Sequence, residues 1–387
     1  MTSQQRSMIA VFASLSVAAL IYGLTMPLLA LVLEKQGVGD FLIGLSTATQ
    51  FLAVIAVAPV TPWLLKTIGP ARLILYGTLA TVVLFLLLRV FFDVYAWFPL
   101  RFAMGVAAGL LWVAGEAWVN QITEDHVRGR VVAAFNLVIA GGFALGPTIL
   151  ILTGIEGWLP FIVSAAIMAV AAAPLLLSLG VAPKFEGRPS ARLPRFLILA
   201  PVAMFVCLAF AAVEGVLVSF LSIYGMHVGL SQEVSISLIT VMGLGGMAVQ
   251  LPVGWLADRM DRRLLTSVCA FIALIGLLLM PVAVNVSIWK WPYIFLLGGA
   301  LAALYTLGMV LLGERFKDAD LAAATALFGV MWGVGSVIGP PLGGIGIELW
   351  DPHGMPVAVA LMLAVFLPLP VIAYIRRRRS EALSLGS

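Results

Sequence analysis

Four ionisable residues, Arg89, Arg101, Glu116 and Glu214, interrupt long runs of hydrocarbon side chains in this 387-residue sequence. A charge in such surroundings needs an opposite partner, a hydrogen-bonding cradle or water. Glu214 stands out, flanked by "CLAFAAV" and "GVLVSF", because a carboxylate there can take up and release a proton or meet a cation. A second group lies in "GWLADRMDRR", where Asp258, Arg259, Asp261, Arg262 and Arg263 fall within six positions between two apolar runs. The chemistry on offer is therefore proton or cation exchange at one site and breakable ion pairing at the other. No nucleophile with an attendant base is visible, and there is no GxxxxGK[ST] loop for a nucleotide, so neither an enzyme nor an ATP-driven machine is expected. The histidines His126, His227 and His353 fall in connections at no metal-ligand spacing and read as solvated loop residues, and Cys207 and Cys269 read as small core residues. No metal and no cofactor is expected.

The elements that must position these groups follow from composition. Charged residues make up 10% of the chain and hydrophobic ones 62%, with a mean hydropathy of +1.12. A soluble domain carries roughly a quarter charged residues, so the chain is an integral membrane protein throughout. A span needs about 20 apolar residues to cross roughly 30 Å of hydrocarbon. Twelve such runs occur, at about 8–33, 41–65, 73–92, 95–120, 131–152, 158–180, 196–224, 234–257, 264–286, 291–313, 321–347 and 356–375. The first is too long for a signal-peptide core and reads as a retained span. Helices are required, because lipid offers the backbone no hydrogen-bond partners.

Net charge is +4 and the pI about 9.2, yet this basicity reflects topology and contact with anionic membrane lipids, not nucleic-acid binding. With twelve spans, eighteen Lys and Arg residues fall on the side shared by the termini, against only Lys35 and Lys290 opposite. Basic residues mark the cytoplasmic face, which places both termini inside. Trp97, Trp158, Trp289, Trp291 and Trp350 fall near the outer ends, as interfacial rings would.

A shift of 193 positions superimposes "GGFALGP" on "VGSVIGP", pairing Gly142 with Gly335, Gly146 with Gly339 and Pro147 with Pro340. The same shift pairs Phe135 with Phe328, Pro59 with Pro252 and Gly105 with Gly298. One offset across several spans indicates two pseudo-symmetric six-helix bundles, residues 1–181 and 196–387, joined by the Pro-, Gly- and charge-rich linker 182–195. The paired glycines and prolines are expected to serve helix packing and hinging. Two such bundles can rock about a midplane site and expose it to each side in turn.

At these residues the chain resembles the major facilitator superfamily. "GWLADRMDRR" is similar to that superfamily's loop between spans 8 and 9, "RFAMGVAAG" (101–109) to its span 4 basic motif, and "GSVIGPPLGG" (335–344) to its glycine-proline motif. The fuller glycine-proline copy lies in span 11 here, and the loop "TPWLLKTIGPAR" after span 2 lacks the motif's aspartate. "GEAWVN", "VRGR" and "VEGVL" resemble a bacterial YcaD-like branch. The resemblance implies an all-α membrane protein of twelve transmembrane helices, in which spans 1, 4, 7 and 10 line a cavity. Glu214 of span 7 and Arg101 of span 4 would then face one space, as proton-coupling or cation-binding carboxylate and modulating charge, or else as a fixed structural pair. Gly254, Asp258, Arg259, Arg262, Arg263 and Glu314 would form a cytoplasmic gate, with Glu116 joined to Arg128 or Arg130; the arginines can also be read as topology-setting charges. Gly254 is expected to permit close helix approach, and Asp258 to cap a helix. The expected function is monomeric, proton-coupled secondary transport of a small solute, with efflux of amphipathic compounds preferred. The alternatives are an uptake permease or uniporter, including a copper importer using residues such as Met242 and Met247, and a nontransporting sensor or lipid-handling protein on the same scaffold.

Overall fold

The computed structural model describes residues 3–123, 128–176 and 194–385. Every regular element among them is a helix. In the first half these are α1 (Ser3–Lys35), α2 (Asp40–Val57), α3 (Thr61–Thr67), α4 (Pro70–Val90), α5 (Val94–Ile122), α6 (Arg128–Thr153) and α7 (Leu159–Leu176). In the second half they are α8 (Pro194–Leu199), α9 (Pro201–His227), α10 (Gln232–Ala257), α11 (Arg262–Ala283), α12 (Lys290–Arg315), α13 (Asp318–Leu349), α14 (Gly354–Phe366) and α15 (Pro368–Leu385). Among the described residues eleven segments are long and apolar enough to cross a membrane, and α6 contributes a shorter apolar stretch at Leu137–Thr153. The expected linker 182–195 lies, up to residue 193, outside the described residues.

Local chemistry explains where the helices begin and break. Asp93 starts α5 by accepting hydrogen bonds from the Tyr95 and Ala96 amides at 2.9 and 3.1 Å, satisfying donors that a first helical turn leaves unpaired. Ser231 does the same for α10 through the Val234 amide at 3.4 Å. Pro59 and Pro62 divide span 2 into α2 and α3, and Pro368 divides span 12 into α14 and α15, because proline cannot donate to the preceding turn.

The sequence repeat reappears as repeated packing. In the first half α6 lies on α1, and a Cβ added to Gly142 or Gly146 would strike the Ser16 or Leu20 carbonyl. In the second, α13 lies on α9, where a Cβ on Gly335 or Gly339 would strike the Leu208 or Ala212 carbonyl. Gly105 of α5 meets the Gln50 carbonyl of α2 as Gly298 of α12 meets that of Met242 of α10. Small residues thus let backbones touch at matching places in both halves. The halves meet where α2 packs on α13, α6 on α10 and α1 on α9. Pro340 is wedged in this seam: its carbonyl abuts Gly44 of α2, and its ring lies against Gly215 of α9.

Two expectations change. Trp97 is fully buried, its indole N–H shared between the Leu88 and Phe91 carbonyls at 2.9 Å each, so it locks the α4–α5 turn and is no interfacial ring. Gly254 has open space where a Cβ would sit, so it brings no helix closer.

Candidate functional site

Glu214 lies at the middle of α9 on the side facing α13, where the Trp332 indole N–H donates to its Oε2 at 3.3 Å. Around this pair the two halves contribute rings. Trp332 meets Phe51 of α2 edge-on, with centroids 5.4 Å apart. Phe51 meets Tyr22 of α1 at 6.3 Å, and Tyr22 meets Phe143 of α6 at 5.7 Å. Phe143 stacks on Trp112 of α5 at 6.1 Å. On the other flank Tyr305 of α12 sits between Phe210 and Phe328 at 5.5 and 5.3 Å. Tyr305 remains 39% exposed while within electrostatic reach of both Glu214 and Glu116. Glu116 belongs to α5 of the first half, so Tyr305 lies near acids of both halves.

Arg101 is held differently from the expectation. Its guanidinium has no exposed surface. Nη1 donates to Ser46 Oγ at 3.2 Å, Nε to Gln50 Oε1 at 3.4 Å, and Nη2 lies 3.9 Å from the Met26 sulfur. Neutral dipoles of α1 and α2 therefore satisfy it within the first half. Tyr22 stands between, coupled electrostatically to both Arg101 and Glu214 and hydrogen-bonded to Gln50. A cavity of about 30 Å³ adjoins Tyr22, Gln50 and Trp112, room for a water molecule. Glu116 is an exposed residue within electrostatic reach of Tyr305; Arg128 and Arg130, its expected partners, have side chains outside the described residues. Arg89 reaches the end of its span, where Nε donates to the Gly157 carbonyl at 3.1 Å and the guanidinium lies over Phe92 and Trp158, as a snorkelling side chain does.

On the side of the termini, Asp261 caps α11 through the Arg263 and Leu264 amides at 2.8 and 3.2 Å. The capping expected of Asp258 thus belongs to Asp261, because the chain turns into α11 three residues later; Asp258 instead ends α10. Arg262 pairs with Glu314 at 3.2 Å, and Arg377 with Glu314 and Asp261 at 3.5 Å each. Arg259 lies over the Trp255 ring at 3.7 Å. These ion pairs join α11, α12 and α15, all of the second half.

At the opposite end the contacts cross between halves. His227, at the end of α9, has Nε2 2.8 Å from Glu34 Oε1 of α1 and Nδ1 2.6 Å from Asp351 Oδ1. Glu348 of α13 accepts the Phe41 amide of α2 at 3.0 Å. Within the first half Lys35 pairs with Glu156, and that ammonium holds the Glu156 carboxyl below its usual range. His227 is therefore no solvated loop residue; its side chain is 25% exposed and bridges two carboxylates. Its separation from Glu34 is 193 residues, the repeat offset itself, so the two occupy equivalent positions of the two halves.

Comparison with known proteins gives one picture. The family model described as Major Facilitator Superfamily matches residues 11–300 and 291–386. The chain is 25% identical over 361 residues to the MFS-type transporter YfkF of Bacillus subtilis, covering 90% of each. It is 26% identical over 322 residues to the MFS-type transporter YcaD of Salmonella arizonae, covering 81% of each. Among solved structures it is similar to a bacterial homologue of the human lysosomal transporter Spinster, in an inward-facing, unoccupied conformation, with a TM-score of 0.78 at 13% identity and 98% of both chains covered. It is also similar to the nucleoside transporter NupG, with a TM-score of 0.76 at 12% identity, covering 97% of this chain and 99% of that one.

Proposed function

Because the chain belongs to the Major Facilitator Superfamily, we propose that it is a proton-coupled secondary transporter carrying a small solute across a bacterial inner membrane by alternating access. The observation that carries this reading is Glu214: a carboxylate at mid-span beside the seam between the halves, where the N–H of Trp332, a ring that itself meets Phe51 of the first half, donates to it. Placing a charge at that depth costs at least about 2.5–3.5 kcal/mol, a penalty that proton uptake removes. The side chain can thus report, through its charge, which side of the membrane it faces.

In this reading residues 1–181 and 196–387 rock as monomeric units about the seam at Pro340, joined by the linker 182–195. The eighteen basic residues on the terminal side orient that side to the cytoplasm. His227, Glu34 and Asp351 then close the outer end, an inward-facing arrangement like that of the Spinster homologue. In the outward-facing state the Asp258 to Arg263 turn, with Glu314, Glu116, Arg128 and Arg130, forms the cytoplasmic gate. Gly142, Gly146, Pro147, Gly335, Gly339 and Pro340 are the packing and hinge positions. The aromatic walls favour amphipathic solutes leaving the cell in exchange for protons.

The test needs no solute. Purified protein carrying spin labels at Gln36→Cys and Glu233→Cys, on the outer ends of the two halves, should show a distance distribution that changes with pH. Glu214→Gln should abolish most of the change on the acid side of neutrality, whereas the His227 bridge responds on the alkaline side. A Gln variant that retains the full pH response removes Glu214 from coupling.

A further inference from the structure

We propose that the solute recognised at Glu214 is a monovalent organic cation bearing bulky apolar or aromatic groups. The inference rests on the transporter reading, in that it needs Glu214 to face the solute chamber, and it adds the sign and shape of the load.

Sign follows from which charges a solute can touch. Glu214 is only partly covered and is held by a neutral N–H. The compensating cation, Arg101, has no exposed surface and its donors point at Ser46, Gln50 and Met26. A ligand entering between the halves therefore meets the Glu214 carboxylate and not the Arg101 guanidinium. An anion would be repelled there, and a neutral sugar-like solute would find few hydroxyl or amide partners among Phe51, Trp332, Phe210 and Tyr305.

Shape and charge distribution follow from the rings. The negative faces of aromatic rings attract a cation, most strongly where water is excluded and when its charge is spread over alkyl or aryl substituents. Trp332 is central, since its ring meets Phe51 while its N–H holds the carboxylate. A cation docking on Glu214 would thereby touch rings from both halves and draw them together. Cation and proton compete for the same carboxylate: the cation binds the ionised form, and any proton held there leaves to solvent, so charge at the site is conserved.

Wild-type protein in nanodiscs, with empty nanodiscs subtracted, is titrated with tetraphenylphosphonium and with tetraphenylborate, which has the same shape and opposite charge. The cation is expected to bind at least tenfold more tightly than the anion, with affinity falling as pH is lowered and up to one proton released per cation in weakly buffered solution. Glu214→Gln should weaken cation binding at least tenfold. Phe51→Leu, which keeps the carboxylate, should weaken it about threefold and leave the pH response in place. Equal binding of both ions, or cation binding untouched by Glu214→Gln, overturns the inference. If the cation does not bind but Glu214→Gln still removes the pH response of the ligand-free protein, proton coupling stands and the organic-cation assignment falls. If cation binding depends on Glu214 while the ligand-free protein ignores pH, the assignment stands and proton coupling falls.

Discussion

Replacing His227 by alanine should open the outer end of the molecule. In the closed arrangement one imidazole spans two carboxylates from different parts of the chain, Glu34 at 2.8 Å and Asp351 at 2.6 Å. Hydrogen bonds to charged groups contribute about 1.5–3 kcal/mol when well covered, whereas exposed ion pairs contribute roughly 0.2–1 kcal/mol. Glu34 is 22% exposed and belongs to the other half, so its contact contributes about 1 kcal/mol to closure on those scales, whereas Asp351 shares the second half with His227 and stays paired when the halves part. The Glu34 contact alone shifts the equilibrium between closed and open outer ends about fivefold. The Gln36→Cys and Glu233→Cys spin-label pair reads this shift directly, since both native thiols, Cys207 and Cys269, are buried. A longer-distance population should gain about fivefold over the shorter one in His227→Ala. Alkaline solution should act in the same direction in the wild type: the imidazolium donates to both carboxylates, but the neutral ring has one N–H and leaves the other carboxylate facing a lone pair. An unchanged distance distribution in His227→Ala at every pH would refute the assignment of closure to this bridge.

Gly335→Val should destabilise the second half by at least about 1–3 kcal/mol, because the new side chain meets the Leu208 carbonyl and Ala211; a lowered thermal unfolding temperature measures it. Gly329→Ala, which faces open space in the same helix, should unfold no earlier than wild type. Asp261→Ala removes the cap of α11, worth about 1 kcal/mol, and should speed hydrogen exchange at the Arg263 and Leu264 amides about fivefold, whereas Asp258→Ala should leave those amides unchanged.

Much of the architecture was legible because lipid leaves the chain so few options. A continuous apolar run must be a helix, and the spans read from the sequence coincide with the helices to within several residues. The Gly142 and Gly335 correspondence was equally readable, since only a glycine admits a neighbouring backbone at that range. What could not be read was azimuth and reach. Sequence gave the depth of Arg101 and Glu214 but not the direction each side chain takes, and Arg101 turns into Ser46 and Gln50 of its own half. Capping is decided by where the backbone reverses, which favoured Asp261 over Asp258. His227 looked unremarkable because its partners are distant in the chain, yet the repeat offset that paired the glycines also pairs His227 with Glu34. Residues at equivalent positions lie at the same membrane depth and can touch only near the axis relating the halves, so that pairing was a usable signal.

The bridge between Glu34 and His227 also dates itself. Were the two halves identical copies, each equivalent position would face its own duplicate, and a carboxylate would oppose a carboxylate or an imidazole another imidazole. An acid facing a base exists only after the copies have diverged. The outer seal is therefore a derived trait, with the acid in the amino-terminal half and the base in the carboxy-terminal one, and neither half could form it by pairing with itself.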